Sequence, residues 1–130
     1  MIYRILFISA FLNLKSCPDH PDFNYYEEGI ASYYHDALEG NLTANGDVFT
    51  QDKLTAAHRT LPFGTRVLVH RPEVDKSIWV TINDRGPFNY KRIIDLSKSA
   101  ADSLDMVHDG IGNVIIKARV AESHSNVGED

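Results

Sequence analysis

Two stretches of this chain alternate apolar and polar side chains with the two-residue period of a half-buried strand. In "NVIIKARVA" (113–121), Val114, Ile116, Ala118 and Val120 face one way while Lys117 and Arg119 face the other. In "SIWVTIND" (77–84), Ile78, Val80 and Ile82 share a face opposite Trp79 and Thr81. The β-branched run "TRVLVHR" (65–71) precedes the latter, and "PEVDK" between them reads as a hairpin connection. "GIASYYH" (29–35) also has strand composition, and "EGNLTANGDVF" (39–49) is turn-rich, with a tight reversal at Asn45-Gly46. One segment reads as helix, "SKSAADSLDM" from Ser97, where Ser97 caps the first turn and Ala100, Ala101 and Leu104 form an apolar stripe. Gly110 and Gly112 then supply the turn into the last strand. Short strands must protect their edges, and closure does so. The expected fold class is mainly β, a closed barrel with one or two short helices.

A length of 130 residues with 43% hydrophobic content suits one domain with a real core. The longest apolar run, in "MIYRILFISAFLNLKSC", is shorter than the ~20 residues that span a bilayer, and it follows Arg4. Residues 1–16 therefore read as a signal peptide. Cys17, the chain's one cysteine, follows Leu14 and Ser16 in a pattern resembling a bacterial lipobox, although Lys15 departs from it. The expectation is export and lipidation at Cys17, giving membrane attachment through a lipid anchor. Residues 17–28, "CPDHPDFNYYEE", read as a tether, 29–121 as the domain and 122–130 as a tail. A lone cysteine forms no internal disulfide, and His20, His35, His70, His108 and His124 show no metal-ligand spacing, so neither metal nor cofactor is inferred.

The formal charge is −5, and −7 once Arg4 and Lys15 leave with the signal peptide. A nucleic-acid partner is disfavoured. Residues 53–92 nevertheless hold eight basic and three acidic side chains, net +5. A cationic middle on an acidic body either attracts an anionic polymer or is a solvated surface with chance clustering.

Five motifs in order, "GIASYYH", "LTANGD", "LTAAHRTLPFGTRVLV", "VTINDRGPF" and "RIIDLSKSAADSLDM", resemble those of the rare lipoprotein A (RlpA) family from about Gly29 to Val120. The resemblance implies a six-stranded double-psi β-barrel with a glycan-binding groove. It also implies lytic transglycosylase activity on peptidoglycan: cleavage of the MurNAc–GlcNAc bond without water to leave a 1,6-anhydro sugar, preferably on strands lacking stem peptides. The family is similar in fold to expansins, so a non-catalytic, expansin-like glycan-binding module is the alternative, and a structural wall lipoprotein with a division partner is a third. Asp47 stands where family members usually have Glu. The C-terminal sporulation-related repeat of many members has no counterpart in this sequence, so septal targeting by that route is not expected.

Glycosidic cleavage needs an acid on the leaving oxygen, and when the sugar's own 6-hydroxyl replaces water one carboxyl can act first as acid and then as base. Asp95, in "RIIDLS", sits between apolar residues, a setting whose desolvation favours a proton-donating carboxyl. Otherwise it caps the helix or bonds loop amides. Asp84, in "INDRGPF", lies where a strand exits into a turn, and its other reading is an Asx-turn acceptor. Either aspartate is a candidate acid/base. The resemblance puts His58 in the groove, orienting an aspartate or touching sugar, against a bland core histidine; Asp47 is a further catalytic candidate. Among Tyr33, Tyr34, Phe63, Phe88 and Tyr90, all possible sugar platforms or packing residues, Phe88 and Tyr90 lie in the loop between the aspartates. Arg85, Lys91 and Arg92 are candidates to hold muramyl carboxylates.

Overall fold

The computed structural model describes residues 22–122. The segment read as a signal peptide, Cys17 and most of the stretch read as a tail lie outside the described residues. Six strands form a closed barrel: β1 (Tyr25–Tyr33), β2 (Thr55–Ala57), β3 (Arg66–Arg71), β4 (Lys76–Asp84), β5 (Arg92–Leu96) and β6 (Ile111–Ala118). Their order around the barrel is β1-β5-β2-β4-β3-β6, closed by the antiparallel β6–β1 ladder. β1 with β5 and β2 with β4 run parallel, while the remaining pairs are antiparallel. One helix, α1 (Lys98–Ser103), and a 3₁₀ turn (Asp36–Leu38) complete it. This is the mainly β, six-stranded barrel that the sequence led us to expect.

The alternation of β4 and β6 is the barrel wall's inside and outside. Val80, Ile82, Val114, Ile116 and Ala118 are fully buried, and they meet Val67, Val69, Ile94 and Leu96 from the facing strands. Leu104, Met106, Ala100 and Ala101 close one side of this core from α1 and the turn after it. Ser97 caps α1, accepting from the Ala100 N–H. Arg71, itself buried, serves the other end of α1 by donating from Nη1 to the carbonyls of Leu104 (2.9 Å) and Asp105 (2.7 Å).

Several boundaries differ from the sequence reading. β1 begins at Tyr25, inside the stretch read as tether, because residues 25–28 pair with 115–118 of β6. α1 ends at Ser103 and not Met106, since the chain turns at Leu104 to bury Met106. Gly112 lies within β6 opposite Ala31, and the strand stops at Ala118. β2 and β5 are strands that alternation did not reveal. Gly29 faces Ile93, the extra residue of β5 where the β1–β5 register shifts, and a Cβ at position 29 would sit 2.7 Å from Ile93 Cγ2.

Candidate active site

The parallel β1–β5 pair sets Ser32 beside Asp95. Where β1 and β4 leave the barrel, their ends and the start of β5 enclose an open cleft of about 440 Å³. Its lining includes Ser32, Tyr34, Asp84, Arg85, Phe88, Arg92 and Asp95, with Tyr33, His35 and Leu38 along the β1 side.

The two aspartates are held differently. Asp84 Oδ1 accepts from the backbone N–H groups of Ala44 (2.9 Å) and Arg85 (2.8 Å), and Oδ2 accepts from the Tyr34 hydroxyl (2.5 Å). It therefore ties the end of β1, the 43–47 turn and its own loop together. Tyr34 is 9% exposed and packs on Phe49 with ring centroids 4.4 Å apart. Burial first, and then the Asp84 carboxylate, push the Tyr34 phenol far above its usual range and hold it protonated.

Asp95 Oδ1 accepts a short bond from Ser32 Oγ (2.5 Å). Arg92 Nε lies 3.3 Å from the same oxygen but points off the hydrogen-bond line, so this buried N–H has no acceptor among the described residues. No donor among the described residues bonds the second oxygen, Oδ2. The side chain is 18% exposed. A carboxyl anchored through one oxygen, its other oxygen free of donors among the described residues, on the wall of a cleft has the form required of a proton shuttle.

The other candidates separate. Arg85, Phe88, Arg92 and Tyr34 line the cleft. Phe88 is 84% exposed and Tyr90 83%, but Tyr90 lies outside the cleft lining, under the Arg59 guanidinium. Asp47 is confined to its own turn, where Asn45 Nδ2 donates to it at 3.1 Å, and it does not line the cleft. His58 corrects the expectation of a groove residue. Its side chain is 4% exposed and bonds neither aspartate. Nδ1 accepts from the N–H groups of Thr60 and Leu61, and Nε2 faces Glu27 Oε1 at 2.9 Å. Only its backbone touches the site, donating to the Asp84 carbonyl at 3.2 Å.

Sequence reasoning missed Ser32, whose approach to Asp95 depends on pairing with a strand 63 residues away, and gave no role to Arg59. The cationic segment is also divided by the fold. Arg71 and Lys76 are neutralised by Glu73, Asp105 and Asp109, away from the cleft, while Arg85 and Arg92 reach it.

A closed six-stranded barrel with two parallel pairs and a carboxylate cleft at the strand ends is a double-psi β-barrel. Residues 26–116 match the family described as lytic transglycolase, and the chain belongs to that family. It is 44% identical over 104 residues to the endolytic peptidoglycan transglycosylase RlpA of Haemophilus influenzae, covering 80% of this chain and 36% of that protein. It is 53% identical over 88 residues to the probable endolytic peptidoglycan transglycosylase RlpA of Synechocystis sp., covering 68% and 27%. The chain thus spans about a third of the length of these curated relatives. Among solved structures, Streptomyces papain inhibitor superposes with a TM-score of 0.60 at 22% identity, covering 76% of this chain and 98% of that one. The apo expansin of Clavibacter michiganensis gives 0.59 at 20% identity, covering 76% and 52%. These two likenesses are of fold.

Proposed function

We propose that this domain is an endolytic peptidoglycan transglycosylase of the cell envelope, with Asp95 as its acid/base. The observation that carries this reading is the Asp95 carboxyl, anchored on one oxygen by Ser32 and met by no donor among the described residues on the other, on the wall of an open cleft of about 440 Å³. Protonated at Oδ2, Asp95 gives its proton to the glycosidic oxygen as the C1–O bond breaks. The resulting carboxylate takes the proton of the same sugar's 6-hydroxyl as O6 bonds to C1. The product is a 1,6-anhydro sugar, and Asp95 regains its starting form. Asp84 is a positioning residue, its oxygens occupied by three donors, and Tyr34 is the phenol that steadies it. Arg92 and Arg85 supply positive charge for the lactyl carboxylates, which are free only where stem peptides have been removed; this favours peptide-free strands. Phe88 is the stacking ring of the cleft. Lipidation at Cys17 would hold the domain at a bacterial membrane facing the periplasm.

The test is a pair of substitutions. Asp95→Asn is expected to abolish formation of anhydro ends while the protein still sediments with peptide-free glycan strands. Turnover surviving in Asp95→Asn would remove Asp95 from the role. Sedimentation without turnover in the unsubstituted protein would favour the expansin-like binding module, the fold neighbour already noted.

A further inference from the structure

Two loops meet beside the cleft, residues 58–63 after β2 and residues 85–92, the β4–β5 connection with the first residue of β5; the second lines the cleft through Arg85, Gly86, Phe88 and Arg92. Each sends an arginine into the other. Arg59 Nη1 donates to the carbonyls of Pro87 (3.1 Å) and Arg92 (2.7 Å), near the two ends of the second loop. Arg85 Nη1 donates to the carbonyls of His58 (3.2 Å) and Leu61 (2.8 Å) in the first. Each guanidinium also covers an aromatic ring of the opposite loop: Arg59 lies 5.0 Å from the Tyr90 centroid and Arg85 3.9 Å from that of Phe63. The buried His58 ring fixes the first loop from inside through the Thr60 and Leu61 amides.

We propose that this reciprocal arginine clasp makes the two loops one rigid platform, a second glycan-binding subsite that carries the strand beyond the cleft across Tyr90 and Phe63. The platform rests on the reading of the cleft as a glycan site, with which it is continuous through Arg85, Phe88 and Arg92. Its occupant is a strand of carboxylated sugars. The two loops carry four cations, Arg59, Arg85, Lys91 and Arg92, and no carboxylate. Their rings are presented to solvent, and a ring with a guanidinium on one face keeps the other for the C–H face of a sugar. Holding both loops in place before binding reduces the ordering cost that a mobile aromatic loop would incur. Arg59 is thus a positioning residue for substrate affinity.

The experiment measures co-sedimentation with peptide-free glycan strands, and KM for anhydro-product formation, in Arg59→Ala, Arg59→Lys and Tyr90→Ala. Each is expected to weaken strand binding about tenfold, with the loss falling on KM. Arg59→Lys fails with the others because an ammonium cannot serve two carbonyls and cover a ring as the planar fork does. Tyr26→Ala, an exposed ring on the N-terminal half of β1, is the control and leaves binding unchanged. Tyr90→Ala removes an exposed ring and decides the matter if the Arg59 variants do not fold. Wild-type affinity in folded Tyr90→Ala, or full affinity in Arg59→Lys, overturns the platform. Weakened binding by these variants in a protein that makes no anhydro product would keep the platform and sink turnover; unchanged KM in a protein that makes it would do the reverse.

Discussion

Three donors meet the two oxygens of Asp84, whereas Asp95 has a donor on one oxygen only. Replacing Asp84 by Asn puts an amide group where an acceptor is needed by Tyr34 or by the amides of Ala44 and Arg85. An unsatisfied buried partner costs about 1–3 kcal/mol, and loosening three loops at once lowers turnover by about 10²-fold. Thermal unfolding and kcat on the same Asp84→Asn preparation check both. Tyr34 gives a pH signature. Its phenol is held protonated in the fold, chiefly by burial, above the ordinary value of 10.0, and Tyr25 is raised too, by burial and by Glu27. The folded state therefore keeps protons that the unfolded state releases above pH 10.0, so this contribution is fully present below that pH and is lost as pH rises beyond it. Denaturant midpoints measured at rising alkaline pH should fall, and fall less steeply in Tyr34→Phe. Both aspartates were legible in the sequence because they flank one loop, but their division of labour was not. That depends on Ser32, Tyr34 and Ala44, which the fold brings to the aspartates from 63, 50 and 40 residues away.

At the scale of elements, β3, β4 and β6 were readable because each is long enough to show a face, and β4 and β6 alternate buried and less buried residues along much of their length. β2 is three residues, Thr55–Ala57, too short to show a period. β5, Arg92–Leu96, has adjacent buried isoleucines followed by a cleft aspartate, so no alternation marks it. These two hidden strands make the parallel pairs, and so create the cleft. The close approach of β1 to β5 depends on Gly29, whose added Cβ would strike a β-branched, rotamer-restricted Ile93. Gly29→Ala is expected to destabilise the barrel by about 1–3 kcal/mol, read as a lower denaturant midpoint, with Gly29→Ala/Ile93→Ala recovering part of it. Recovery of none would mean that the glycine serves a purpose other than clearance.

Across the described residues, the fold gathers Arg59, Arg85, Lys91 and Arg92 on the loops beside the cleft and pairs Arg71 and Lys76 with Glu73, Asp105 and Asp109 away from it. Exposed charges are screened beyond a Debye length of about 10 Å at 0.1 M salt. Raising salt should therefore weaken strand binding while leaving thermal stability nearly constant, a comparison that co-sedimentation and unfolding at matched ionic strength provide. The most direct test of the central claim is mass spectrometry of peptide-free glycan strands incubated with the purified protein. The expected result is 1,6-anhydro-muramyl ends that accumulate with time and are absent with Asp95→Asn. Strands that sediment with the protein and stay intact, or anhydro ends made equally by Asp95→Asn, would contradict it.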